Sequence, residues 1–103
     1  MAFPTPLALV LPFVLAVSDA VPRFNIEPTC KGGLGSPGLN ERYDRCISEE
    51  REAQKKLEAN WSKYPAGDRT VCARTAGMAS GSYVELLTCL EMDAEARKLR
   101  GKN

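Results

Sequence analysis

Residues 40–64, NERYDRCISEEREAQKKLEANWSKY, decide the fold. No Gly or Pro interrupts them, and Glu, Lys, Arg, Ala and Leu dominate, so the stretch predicts one long helix. Asn40 is placed to cap it, and Glu41 then favours the positive end of its dipole. At helical spacing Tyr43, Cys46, Ile47, Ala53, Leu57 and Trp61 form one stripe, with Glu50 where another apolar side chain is expected. So narrow a stripe covers one partner helix and leaves the other sides in water.

Downstream, Pro65-Ala66-Gly67 stops the helix after Tyr64, and Asp68 is expected to cap a short helical turn through Arg69, Val71 and Cys72. A flexible Gly-rich connection, Gly77 to Ser82, follows. Ser82-Tyr83-Val84-Glu85 then reads as a capping box, the hydroxyl taking the Glu85 amide and the Glu85 carboxylate returning to the Ser82 amide. The last helix carries Tyr83, Leu86, Leu87, Leu90 and Ala94 on one stripe, and Arg97, Lys98 and Arg100 suit its negative end before Gly101. The expected fold is all-α: residues 40–100 as an antiparallel helical hairpin with a partly helical connection.

Upstream, Pro22, Pro28 and Pro37 with Gly32, Gly33, Gly35 and Gly38 make residues 21–39 an expected extended arm, ordered near Cys30. Residues 1–20 read as a signal peptide. An apolar run from Leu7 to Val17, broken only by Pro12, leads to the small-residue site Ser18-Asp19-Ala20, with cleavage between Ala20 and Val21. That run is well short of the ~20 residues a membrane-spanning helix needs, so no stable membrane anchor is expected after cleavage. Its n-region has no Lys or Arg and relies on the amino terminus for charge. Removal leaves 83 of the 103 residues and, with Asp19 gone, takes the formal charge from +1 to +2.

At that length a hydrophobic core supplies only about 3 to 5 kcal/mol, and covalent staples are expected. Cys30, Cys46, Cys72 and Cys89 all fall after the leader, an even number in an exported chain, which predicts two disulfides. In the expected hairpin the levels of Cys46 and Cys89 meet, which favours that pair and leaves Cys30 with Cys72. The local scheme, Cys30 with Cys46 and Cys72 with Cys89, stays open.

Chemistry is scarce. The chain has no His, hence no common general base or metal ligand, and its cysteines, 16, 26 and 17 residues apart, form no CxxC pair. No catalytic residue, metal ligand or cofactor is expected. Glu49, Glu50 and Glu52 point to successive sides of a charged helix and read as a solvated face. Charges are interspersed, with no basic stripe for nucleic acid. Trp61 and Tyr64 are the possible surface anchors, with a place in the small core as the competing role. Asn60-Trp61-Ser62 matches the N-glycosylation pattern but sits in a helix.

Leu39-Asn40, Tyr43, Gln54, Trp61, Tyr64, Asp68-Arg69, Cys72, Gly81-Ser82, Cys89, Arg97 and Leu99 together are similar, in order, to the pattern of the bacterial LprI-like family of exported helical domains. The segment 82–92, SYVELLTCLEM, also resembles that of small exported proteins of Gram-negative bacteria. The resemblance spans about residues 39–100. It implies a helical, cysteine-stapled periplasmic or cell-surface domain of a kind that includes lysozyme inhibitors, and it carries over no binding residues. The function expected is a non-enzymatic binding module, periplasmic or secreted, with a protein or cell-envelope component as partner. A lysozyme-inhibitor-like envelope protein and a secreted effector or antimicrobial module are the alternatives.

Overall fold

The structure, a computed structural model, describes residues 20–32, 39–78 and 81–101. All but Ala20 of the expected leader lies outside them, as do residues 33–38 of the arm. Among the described residues there are four helices and no strand: α1 (Ile26–Lys31), α2 (Leu39–Asn60), α3 (Ala66–Ala76) and α4 (Tyr83–Gly101), with a 3-10 turn at Trp61–Lys63 after α2. None is long and apolar enough to cross a membrane.

The described start of the arm is helical where extension was expected. Asn25 caps α1, its Oδ1 accepting the Glu27 amide at 3.3 Å. Pro28 falls in the first turn, where the amide it lacks would have had no partner within the helix. Ile26 and Cys30 are buried, and Val21 and Phe24 pack against the core. Residues 21–32 are therefore part of the folded body.

The connection after α2 also exceeds expectation. Pro65 stands at the N-cap of a full helix, with the Arg69 amide donating to its carbonyl at 3.0 Å, and Asp68 lies inside the first turn. Thr70 and Thr75 are modest helix formers, but each hydroxyl donates to the carbonyl four residues back, at 3.1 and 3.0 Å. Burial of Cys72 and Ala76 gives α3 a reason to persist that local propensity does not.

A full third helix changes the topology. Asp68 near the start of α3 pairs with Arg97 near the end of α4 at 2.7 Å, so α3 and α4 are antiparallel. Glu50 of α2 meets Ser82 and Tyr83 at the start of α4, whereas Asn60 and Tyr64 share a groove with Ala94 and Arg97 near its end. The helices expected to be antiparallel, α2 and α4, thus run side by side in the same direction, because α3 carries the chain back between them. Helix α4 packs against both. Ala53, Leu57 and Trp61 of the first stripe join Tyr83, Leu86 and Leu90 of the last in one core, with Ile26, Cys72 and Ala76 completing it.

Candidate functional site

The densest polar geometry lies at the N-terminus of α4. Glu50 occupies its place in the apolar stripe of α2 and is buried with Ser82, so the expectation of a solvated face holds for Glu49 and Glu52 and fails for Glu50. One Glu50 oxygen accepts the Ser82 hydroxyl at 2.6 Å, and the other accepts the Tyr83 amide, also at 2.6 Å. The Ser82 oxygen in turn accepts the Glu85 amide at 3.1 Å, one leg of the expected capping box. The return leg from Glu85 is not found among the described residues; Glu50, reaching across from α2, brings the carboxylate to this helix end. An anion there meets unpaired amides and the positive dipole end.

The N-terminal segment closes over the same point. The Phe24 amide donates to the Tyr83 phenol oxygen at 2.7 Å, the two rings lie 4.9 Å apart between centroids, and Thr29 Oγ1 donates to the Gly81 carbonyl at 2.6 Å. Gly81 has φ +96°, and a Cβ there would come within 2.9 Å of the Phe24 ring. Its lack of a side chain lets this crossing form. Because Glu50 and Ser82 are buried and mutually satisfied, the arrangement locks three segments and offers no open carboxylate or hydroxyl to a substrate.

The cysteines pair locally. Cys30 joins Cys46 and Cys72 joins Cys89, with Cα separations of 5.6 and 5.7 Å. The favoured pairs, Cys46 with Cys89 and Cys30 with Cys72, are corrected by the topology. Helix α1 lies on α2 and brings Cys30 to Cys46, while antiparallel α3 and α4 bring Cys72 to Cys89. Asp93 Oδ2 stands 3.6 Å from Cys72 Sγ, and Cys72, Cys89 and Asp93 offer three donor atoms within 4.8 Å of one another. Both sulfurs are committed to a disulfide, so the trio has no thiolate for a metal or for nucleophilic attack.

Of the two expected surface anchors, Trp61 belongs to the core, 8% exposed, with the Arg69 guanidinium 5.8 Å from its ring centroid. Tyr64, half-buried, remains at the surface. Burial, and then the nearby Glu91 carboxylate, push its phenol above the usual value near 10. Asn60 ends α2, and its side-chain amide donates to the Lys56 carbonyl at 3.0 Å.

The described residues also line concavities. A cavity of about 620 Å³ is lined by Ala20, Val21 and Arg23 on one side and by Gln54, Glu58 and Trp61 on the other. A shallower groove of about 440 Å³ has Tyr64, Pro65 and Ala94 along it and Lys63, Arg97 and Lys98 around it. Helix α4 also exposes Val84, Met92 and Leu99, which fall within an arc of ~80° on a helix of 3.6 residues per turn, opposite the buried stripe. No periodicity argument centred on the core stripe would single these three out. Comparison with protein-family models, curated proteins and solved structures finds no match.

Proposed function

We propose that the chain is exported, loses residues 1–20, and works without catalysis as a disulfide-stapled binding module that presents the outer face of α4 to a protein or cell-envelope partner. The observation that carries this reading is that Val84, Met92 and Leu99 share one exposed side of α4, with Thr88 and Glu95 between them, on a helix whose other face is already committed to the core. Exposed apolar residues are ordinary one at a time; alignment along one side of a rigid helix suits a partner surface. All four cysteines are in disulfides, which agrees with an oxidising compartment and leaves thiol chemistry no starting group. A photo-crosslinking residue at Met92, used in the native source, is expected to capture a discrete partner that the same group at Glu52, on the solvent side of α2, does not. Equal capture at both positions, or none at either, would remove the α4 face from the reading.

Lysozyme is the partner to try first, from the LprI-like resemblance. Unchanged lysozyme turnover at a large molar excess of the oxidised protein discards that version. The antimicrobial alternative has little electrostatic support, since a charge of +2 interspersed with acids attracts anionic lipid weakly. Absence of dye release from anionic vesicles would eliminate it.

A further inference from the structure

The larger cavity lies at the point where the leader would be cut. Ala20 and Val21 line it together with Arg23, Gln54, Glu58 and Trp61. The chain just beyond the cut is anchored: Val21 and Phe24 pack on the core, and the Phe24 amide is held by Tyr83. The first residue after the leader is thus kept beside the C-terminal part of α2, where Glu58 is the sole acid lining the cavity. Among the described residues the Glu58 carboxylate has one hydrogen bond, from Gln54 Nε2 at 3.4 Å, and no cationic partner within ion-pair distance.

We propose that the cavity is a binding site for the processed amino terminus: hydrolysis between Ala20 and Val21 frees an α-ammonium group that docks on Glu58, a contact the uncut chain cannot make. The inference rests on reading residues 1–20 as a removable leader. In the hydrolysis, carried out by a leader peptidase, water adds its hydroxyl to the Ala20 carbonyl carbon as the C–N bond breaks. The Val21 nitrogen leaves as an amine and takes up protons, and Ala20 departs as a carboxylate with the leader. A neutral amide with one N–H becomes a cation with three donors. The groups lining the cavity suit it: the Glu58 carboxylate, the Gln54 amide oxygen and the Ser62 hydroxyl can accept, and the Trp61 ring adds a π face. Arg23 is the other charged group there; it lies on the same segment and is exposed, so it can compete for Glu58 or turn to solvent.

The contact makes cleavage more than the removal of a signal. It pins the end of the segment that closes over Gly81 and Tyr83, so the cut chain is held at a point where the precursor is not. Because a folded-state ammonium paired with a carboxylate keeps its proton more tightly, the added stability is full below the ordinary amine range near 8 and fades as pH rises through the raised value.

The test uses the oxidised chain beginning at Val21, with the terminal nitrogen labelled and titrated by NMR. The amine is expected to titrate above its ordinary range, by less than about one pH unit because Glu58 is exposed to solvent. Glu58→Gln should return it to that range, and Arg23→Gln should leave it raised. Acetylating the terminus should lower the thermal midpoint of the parent chain and leave that of the Glu58→Gln chain unchanged. An ordinary titration in the parent, or one indifferent to Glu58→Gln, overturns the contact. The leader reading is judged separately by the mass of the protein from its native source: a start other than Val21 overturns that reading whatever the titration shows.

Discussion

Glu50, alone in its stripe, brings a carboxylate to the one helix start that three segments share. Replacement by Ala would bury the Ser82 hydroxyl and the Tyr83 amide without their acceptor. A lost hydrogen bond to a charged group and an unsatisfied buried donor each cost about 1 to 3 kcal/mol, so Glu50→Ala is expected to lower unfolding free energy by roughly 3 kcal/mol in denaturant titration. Glu50→Gln, which keeps the shape of the side chain and one acceptor oxygen, should cost less; equal losses would mean that the pair of carboxylate oxygens, not the packing of the side chain, is what matters. Gly81→Ala meets both the positive φ and the Phe24 ring, with an expected loss of about 1 to 3 kcal/mol. Phe24→Ala in the same chain should recover part of that loss if the ring is the obstacle. Tyr64 supplies a pH dependence. Its phenol titrates above 10 in the folded protein, so the unfolded chain gives up its proton first as pH rises. The stabilising contribution is therefore complete below pH 10 and lost as pH climbs through the folded value. Tyr64→Phe should flatten the alkaline fall in stability, and an unchanged slope would place its cause elsewhere.

At the scale of elements, the two disulfides divide the labour between neighbouring helices, Cys30–Cys46 holding α1 to α2 and Cys72–Cys89 holding α3 to α4. Proteolysis under non-reducing conditions should release linked peptides containing 30 with 46 and 72 with 89; the crossed peptides would contradict the topology itself. Each closed loop is short, 16 or 17 residues in separation, which in the chain-entropy model corresponds to about 3 kcal/mol. Much of this was legible in the residues: the two long helices, their buried stripes, the serine cap and the presence of two staples follow from periodicity and from an even cysteine number. The direction of α4 was not. It depends on whether residues 66–76 make a turn or a helix, and Gly67, Thr70 and Thr75 give a weak local signal that burial of Cys72 and Ala76 overrides. Once α3 is taken for a turn, the antiparallel hairpin and the wrong disulfide pairing follow together. Helix α1 was hidden by its proline, since Pro28 would disrupt a helix interior but not a first turn. Glu50 was visible as an anomaly in the stripe, yet its partners lie more than thirty residues away in sequence, beyond what a local pattern can show.

For the whole molecule, neither disulfide crosses the interface between α2 and α4. That interface is held by Leu57, Leu86, Leu90 and Tyr83 in the core and by the Glu50 cap, all of it non-covalent. The two disulfides together are worth about 6 kcal/mol in the chain-entropy model, comparable with the whole stability of a small domain, roughly 5 to 15 kcal/mol. Reduction should therefore loosen the protein, and unevenly. Helices α1 and α3 are short, six and eleven residues, below the ~12 to 15 at which an isolated helix is even marginal in water. Each depends on docking that its disulfide keeps in place. Hydrogen exchange followed after reduction and alkylation should show the amides of residues 26–31 and 66–76 losing protection first. Amides near Leu57, Leu86 and Leu90 should keep a residue of it, and the thermal midpoint should fall. Uniform collapse of protection would mean that the α2 and α4 interface has no stability of its own and that the staples hold the entire fold. An unchanged pattern would mean instead that the core holds α1 and α3 without covalent help.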